Sequence, residues 1–103
     1  MNKAYGRAIP AAWRRTARMF IALGDPHRQR ILLMFEPGER LNVGQIVAAS
    51  TLSRTAVAHH LRVLREAGVL KCRKAGREVY FWPDVPAVQF ALATVQDYLA
   101  EHH

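Results

Sequence analysis

Residues 43–67 read VGQIVAASTLSRTAVAHHLRVLREA, and their spacing decides the fold. VGQIVAA (43–49) is long enough for two turns of helix. Ser50-Thr51-Leu52 then makes a tight turn, and Ser53 is placed to cap a second helix that runs to about Ala67. In that second helix Val57, Leu61 and Leu64 fall at i, i+4 and i+7, one apolar stripe that must be core. Thr55, Ala58, His59 and Arg62 lie on the other side, with Arg54 at the exposed first turn. Gly68 terminates the helix. Two helices joined this tightly make a helix-turn-helix. The first braces the second, and the second can project side chains into a DNA major groove, which is wide enough to admit it.

Working outward, LKCRK (70–74) and REVYFW (77–82) are strand-like runs joined at Ala75-Gly76, a β-hairpin with Arg73, Lys74 and Arg77 around its tip. Pro83 closes the second strand. Residues 85–101 form a last helix in which Val88, Leu92, Val95 and Leu99 make a narrow apolar seam of the kind that meets another helix. Upstream, residues 11–23 carry Trp13, Ala17, Phe20 and Leu23 at helical spacing. Gly24 ends that helix, Asp25 caps the next and Pro26 is its first residue. This second helix is expected to reach about Glu36, with Ile31, Leu32 and Phe35 inward, until Pro37-Gly38 stops it. Residues 1–10, with Gly6 and Pro10, read as an N-terminal arm. The expected fold is mainly α with a small β-hairpin (α+β), in the order ααααββα, over residues 11–101.

Fifteen Lys and Arg against eight Asp and Glu give a net charge of +7. Excess charge can simply keep a domain soluble, or it can mark a polyanion partner. Its placement favours the second reading. Arg54, Arg62, Arg65, Lys71, Arg73, Lys74 and Arg77 all fall within residues 54–77, where Glu66 is the only acid. One cysteine, Cys72, excludes an intrachain disulfide and fits a reducing cytoplasm. No apolar run approaches the length of a membrane span, and no secretory signal layout opens the chain.

ALGDPHRQRIL (22–32), LSRTAVAHHLRVLREAGVL (52–70) and GREVYFW (76–82) closely resemble the ArsR/SmtB family of winged helix-turn-helix repressors, over about residues 17–99. The resemblance implies a homodimer on a palindromic operator, with dimer contacts from the first and last helices. It also implies release of DNA by an inducer, often a metal ion. The sensing motifs of that family are not matched. Where relatives carry a cysteine pair on the helix before the turn, this chain has Asn42-Val43-Gly44. Where others carry Asp-x-His at the start of the last helix, it has Asp84-Val85-Pro86, and the matching later positions are Asp97 and Ala100. A zinc site wants about four N, S or O ligands, so no metal site and no cofactor are expected. Redox-sensing relatives use two cysteines. A lone Cys72 between Lys71 and Arg73 reads first as a half-buried strand residue, and second as a thiol activated by its cations. His102 and His103, with Asp97 and Glu101, offer donors at a chain end, where side chains are usually mobile.

The expectation is therefore a cytoplasmic, sequence-specific DNA-binding repressor with no catalytic role. No nucleophile–base set, phosphate-cradling glycine loop or supported carboxylate pair is visible. Ser53, Arg54, Thr55, Ala58, His59, Arg62, Arg73, Lys74 and Arg77 are the expected contacts to double-stranded DNA. Trp13, Phe20, Val88, Leu92, Val95 and Leu99 are the expected homodimer contacts. No membrane partner is expected, and the inducer is not legible. A winged-helix module binding RNA or a protein is the alternative.

Overall fold

The computed structural model describes Met1, Lys3 and residues 5–103; Asn2 and Ala4, part of the expected arm, lie outside the described residues. The elements are α1 (Ala11–Leu23), α2 (Pro26–Leu32), β1 (Leu41–Asn42), α3 (Val43–Ala49), α4 (Arg54–Glu66), β2 (Leu70–Ala75), β3 (Glu78–Pro83) and α5 (Val85–His102). The three strands form one antiparallel sheet in the order β1-β3-β2. Among the described residues no helix is long and apolar enough to cross a membrane.

The core is built around α4. Val57, Leu61 and Leu64 are buried against Ile31 of α2, Ile46 of α3, Val69, Leu70 and Phe81. This is the stripe read from the sequence, and it fixes which side of α4 is left for solvent. The helix ends where expected and for a visible reason. Gly68, at φ +83°, lets the Val69 N–H reach back to the Leu64 carbonyl and its own N–H reach Arg65, the paired bonds of a Schellman end. A Cβ there would also sit 3.2 Å from the Met19 Cε of α1, so the glycine serves both the turn and the packing.

The extent of α2 and the make-up of the sheet differ from expectation. α2 ends at Leu32, not near Glu36. Met34 and Phe35 N–H groups bond three residues back, to Ile31 and Leu32, which winds the chain into a tighter turn than an α-helix. Pro37 disfavours helical geometry at Glu36, so the helix unwinds before it. Leu33 is left exposed and Phe35 only half-buried. The expected two-stranded hairpin is also joined by a third strand, β1, through Leu41↔Phe81 and Asn42↔Tyr80. In α1 the core face is Thr16, Met19 and Ala22. Trp13, Ala17 and Phe20 belong to a different face, exposed or half-buried.

Candidate nucleic-acid interface

The turn Ser50-Thr51-Leu52 is held by the Ser50 hydroxyl, which donates to the Val47 carbonyl and accepts from the Leu52 N–H, both at 3.2 Å. Ser53 then caps α4, its hydroxyl oxygen accepting from the Ala56 N–H at 3.2 Å. These local bonds set the direction of α4. With Val57, Leu61 and Leu64 facing inward, Arg54, Thr55, His59 and Arg62 are exposed along the opposite side. Ala58 is half-buried instead. It lines a hollow of about 210 Å³ with Arg62 and Arg65 of α4, Val43 of α3, and Val79 and Phe81 of β3. That hollow is where the wing meets the recognition helix.

In the wing, β2 and β3 pair from Leu70↔Pro83 to Ala75↔Glu78, leaving Gly76-Arg77, not the expected Ala75-Gly76, as the two-residue turn. Gly76 has φ +64° and Arg77 a negative φ, the sign pattern of a II′ hairpin turn, which calls for glycine first. Arg73, Lys74 and Arg77 are all exposed around this tip. Two ion pairs occur among the described residues, Arg28–Asp25 at 3.9 Å and Lys71–Asp84 at 4.0 Å. The cations Arg54, Arg62, Arg65, Arg73, Lys74 and Arg77 thus stand without a carboxylate partner among the described residues. They lie along the exposed side of α4 and on the adjoining hairpin, where Arg73 stands on the sheet face turned away from α4.

A network absent from the sequence reading holds α4 in place. Arg28 donates from Nε to the Ala22 carbonyl at 2.6 Å and from an Nη to the Ile21 carbonyl at 3.4 Å, closing the end of α1. Its other Nη lies 3.4 Å from His60 Nδ1 on α4. Asp25, the cap of α2, accepts from the His27 and Arg28 N–H groups at 2.8 and 3.2 Å. Burial works to raise the Asp25 pKa, but those two bonds and the Arg28 charge outweigh it and hold the carboxyl below its ordinary range. Burial, helped by the nearby Arg28 charge, pushes the His60 pKa down despite the opposing attraction of Asp25. His60 is thus a packed structural residue, while His59 beside it is exposed. Only the pattern DPHR hinted at this cluster, and its long-range arm, Arg28 to His60, had no sequence signal.

Asn42 and Asp84, among the positions that match the family's sensing motifs, are otherwise engaged, while Asp97 and Ala100 are exposed. Asn42 Oδ1 accepts from the Gln45 N–H while Gln45 Oε1 accepts from the Asn42 N–H, both at 2.8 Å, a reciprocal cap on α3. Asp84 caps α5 through the Ala87 N–H and pairs with Lys71. Cys72 is half-buried opposite Phe81, against the core.

The seam on α5 divides. Val88 and Val95 are half-buried, whereas Leu92 and Leu99 are each 52% exposed. Trp13 and Phe20 lie with Ile9, Pro10, Ala17 and Tyr98 around an open apolar hollow of about 450 Å³. Trp13 and Tyr98 meet edge to face, with centroids 5.7 Å apart.

The model of the bacterial regulatory protein arsR family matches residues 25–71, from the cap of α2 into β2. The transcriptional repressor SdpR of Bacillus subtilis is 30% identical over 63 residues, which are 61% of this chain and 69% of that protein. The chain belongs to the ArsR family. A second relative, the transcriptional repressor SmtB homolog of Synechocystis, is 42% identical over 65 residues, 63% of this chain. That match spans only 48% of the SmtB homolog, so this chain covers about half the length of that relative. An ArsR-like transcriptional regulator from Rhodococcus sp. RHA1 superposes with a TM-score of 0.82 at 25% identity, over 89% of this chain and 86% of that one. The matched stretch takes in α2, α3 and α4 and stops at the start of the wing, and the fold is a winged helix-turn-helix.

Proposed function

We propose that this ArsR-family chain is a sequence-specific transcriptional repressor that binds double-stranded DNA as a homodimer in the cytoplasm. The observation that carries the reading is the unneutralised cationic tract running from the exposed face of α4 onto the wing. DNA carries one charge per roughly 1.7 Å of axis, and cations placed along it release condensed counterions. The relatives named as repressors support the same direction of control. The first two turns of α4 enter the major groove, where Arg54 reads guanine through its two acceptors, while Thr55 and His59 fix the register. Ser53 remains free to donate its hydroxyl proton to a phosphate, because the cap uses only its oxygen as acceptor. Arg62, Arg73, Lys74 and Arg77 take backbone phosphates, and Ala58 offers only apolar contact at the edge of the hollow.

The dimer rests on the outward apolar surface of α1 and α5. Of the eighteen residues of α5 only Ala91 is buried, although most of the helix is apolar. Leu92 and Leu99, with Val85 two turns earlier, form an open stripe, and Trp13 and Phe20 line an apolar hollow with Tyr98 of the same helix. Exposed apolar surface of this extent is removed from water by a second copy. Two recognition helices can then address successive turns of DNA.

The test is selection of a duplex from a random pool by the protein itself, followed by Arg54→Ala. On the selected duplex the variant should lose roughly 1–3 kcal/mol and relax its preference at one base pair per half-site. Equal weakening on selected and random DNA would show Arg54 to be a phosphate contact. No enrichment at all would sink the DNA reading.

A further inference from the structure

The sheet has a second face, turned away from the core. Leu41, Phe81 and Cys72 are laterally aligned and pack inward. Alternation along the strands therefore sends their neighbours outward. One outward row is Asn42, Tyr80 and Arg73, by the observed register. The next is Arg40, Trp82 and Lys71, Arg40 being the residue before β1. Arg40 Cζ stands 3.9 Å from the centre of the Trp82 ring. Arg40 and Arg73 also share a shallow hollow of about 300 Å³ with Ala75 and Tyr80. Four acids lie nearby, Asp84, Glu39, Glu36 and Glu78, and two of them are engaged. Asp84 pairs with Lys71, and Glu39 accepts from the Glu36 N–H at the preceding turn. Glu78 stands on this face at the wing end.

We infer that this outward sheet face, with Arg40 at its β1 edge, is a second DNA-contact surface that grips the phosphates of duplex flanking the operator. The inference rests on the DNA-binding reading above and adds a surface that lies on the opposite side of the sheet from α4. Charge complementarity selects a polyanion: Arg40 and Arg73 have no carboxylate partner within 4.0 Å among the described residues. Stacking selects the backbone over the bases. Single-stranded nucleic acid is held by bases stacked on open aromatic faces. Here a guanidinium already lies over the Trp82 ring. A guanidinium lying flat on an indole keeps its N–H edges free and loses little freedom on binding phosphate. Arg73 joins the two surfaces, since it sits on this face and beside the wing tip. Duplex leaving the recognition site past the wing meets Arg40 next.

The test uses the duplex enriched by the protein itself, either trimmed to its selected core or carried within about 15 bp of mixed sequence on each side, roughly one and a half helical turns. Wild type should bind the flanked duplex more tightly than the trimmed one. Arg40→Ala should bind the trimmed duplex as wild type does and lose the gain from the flanks. With one phosphate contact per subunit and a slope near 0.9 for each, a fourfold rise in salt should weaken wild type about tenfold more than Arg40→Ala on the flanked duplex. Arg40→Lys, which keeps the charge without the planar stack, should retain part of the gain and serves as the control for folding. Several results overturn the inference. One is a wild type that gains nothing from flanks while still binding the trimmed duplex, an outcome that leaves the DNA reading intact. Another is an Arg40→Ala loss that is equal on both duplexes, which places Arg40 in the primary contact. A third is tight binding of oligo-dT that Trp82→Leu abolishes, which assigns the face to stacked bases.

Discussion

Arg28 is the side chain whose removal is most informative, because it ties three helices to one another. Its Nε bond to the Ala22 carbonyl is short, charge-assisted and part-buried; bonds of that type contribute roughly 1.5–3 kcal/mol. The Ile21 bond, at 3.4 Å and exposed, adds little. The Asp25 ion pair, at 3.9 Å with the carboxylate about one-third exposed, adds about 0–1 kcal/mol. Arg28→Ala is therefore expected to destabilise the fold by about 2–4 kcal/mol, near 10–20 °C in Tm for a domain of this size. The same substitution should move His60. Removing a cation 3.4 Å from Nδ1 and opening the site to water both favour the imidazolium, so His60 should titrate higher in the variant than in wild type. Urea unfolding at fixed protein concentration gives the first quantity, and the pH dependence of the His60 ring signals in NMR spectra gives the second. A variant as stable as wild type, or a His60 that titrates at or below its wild-type value, would refute the network as drawn. Arg28→Lys keeps the charge but not the fork, and should recover the His60 titration better than the stability.

The remaining expectations concern assembly, affinity and pH. Leu92→Asp places a carboxylate on the open stripe of α5, 52% exposed in one chain, so it should dissociate a dimer while leaving a folded monomer; sedimentation with circular dichroism checks both, and a wild type that sediments as a monomer at micromolar concentration refutes the dimer. Arg77→Ala at the wing tip should weaken binding to all sequences about equally and flatten the salt slope by roughly one unit for each phosphate no longer gripped; an unchanged slope removes the wing tip from the phosphate interface. Because the folded-state pKa of His60 lies below its ordinary 6.5, the unfolded chain binds the extra proton, and its contribution to stability is complete above that value and declines as pH falls below it. His60→Phe should remove that part of the pH dependence in urea titrations between pH 7 and pH 5 (about the imidazole range), and a profile identical to wild type would contradict it.

Much of this was legible in the chain itself. The stripe Val57, Leu61 and Leu64 fixed the buried side of α4 by spacing alone, and Ser53 and Gly68 fixed its two ends by cap chemistry that involves only near neighbours. The hairpin was legible as well, though its turn falls at Gly76-Arg77, one residue later than the sequence placed it. By the same logic the exposed positions Arg54, Thr55, His59 and Arg62 followed once the buried ones were known. The end of α2 was not legible in this way, because Met34 and Phe35 continue its apolar pattern past the point where Pro37 makes the backbone unwind.

What tertiary structure decided were the relations between residues far apart in sequence. A two-residue strand is too short to show alternation, so β1 exists only because β3 offers an edge for Leu41 and Asn42 to pair with. Arg40 acquires its place over Trp82 through that pairing and had no signal of its own. Arg28 meets His60 thirty-two positions away because α2 and α4 pack on a common core. The two outward faces of the first and last helices also needed the packed structure. Spacing put Val88, Leu92, Val95 and Leu99 on one seam, but the packing of α5 against α1 divided it into covered valines and open leucines. Periodicity records which residues share a side of an element, and only the neighbours that arrive in three dimensions determine what that side meets.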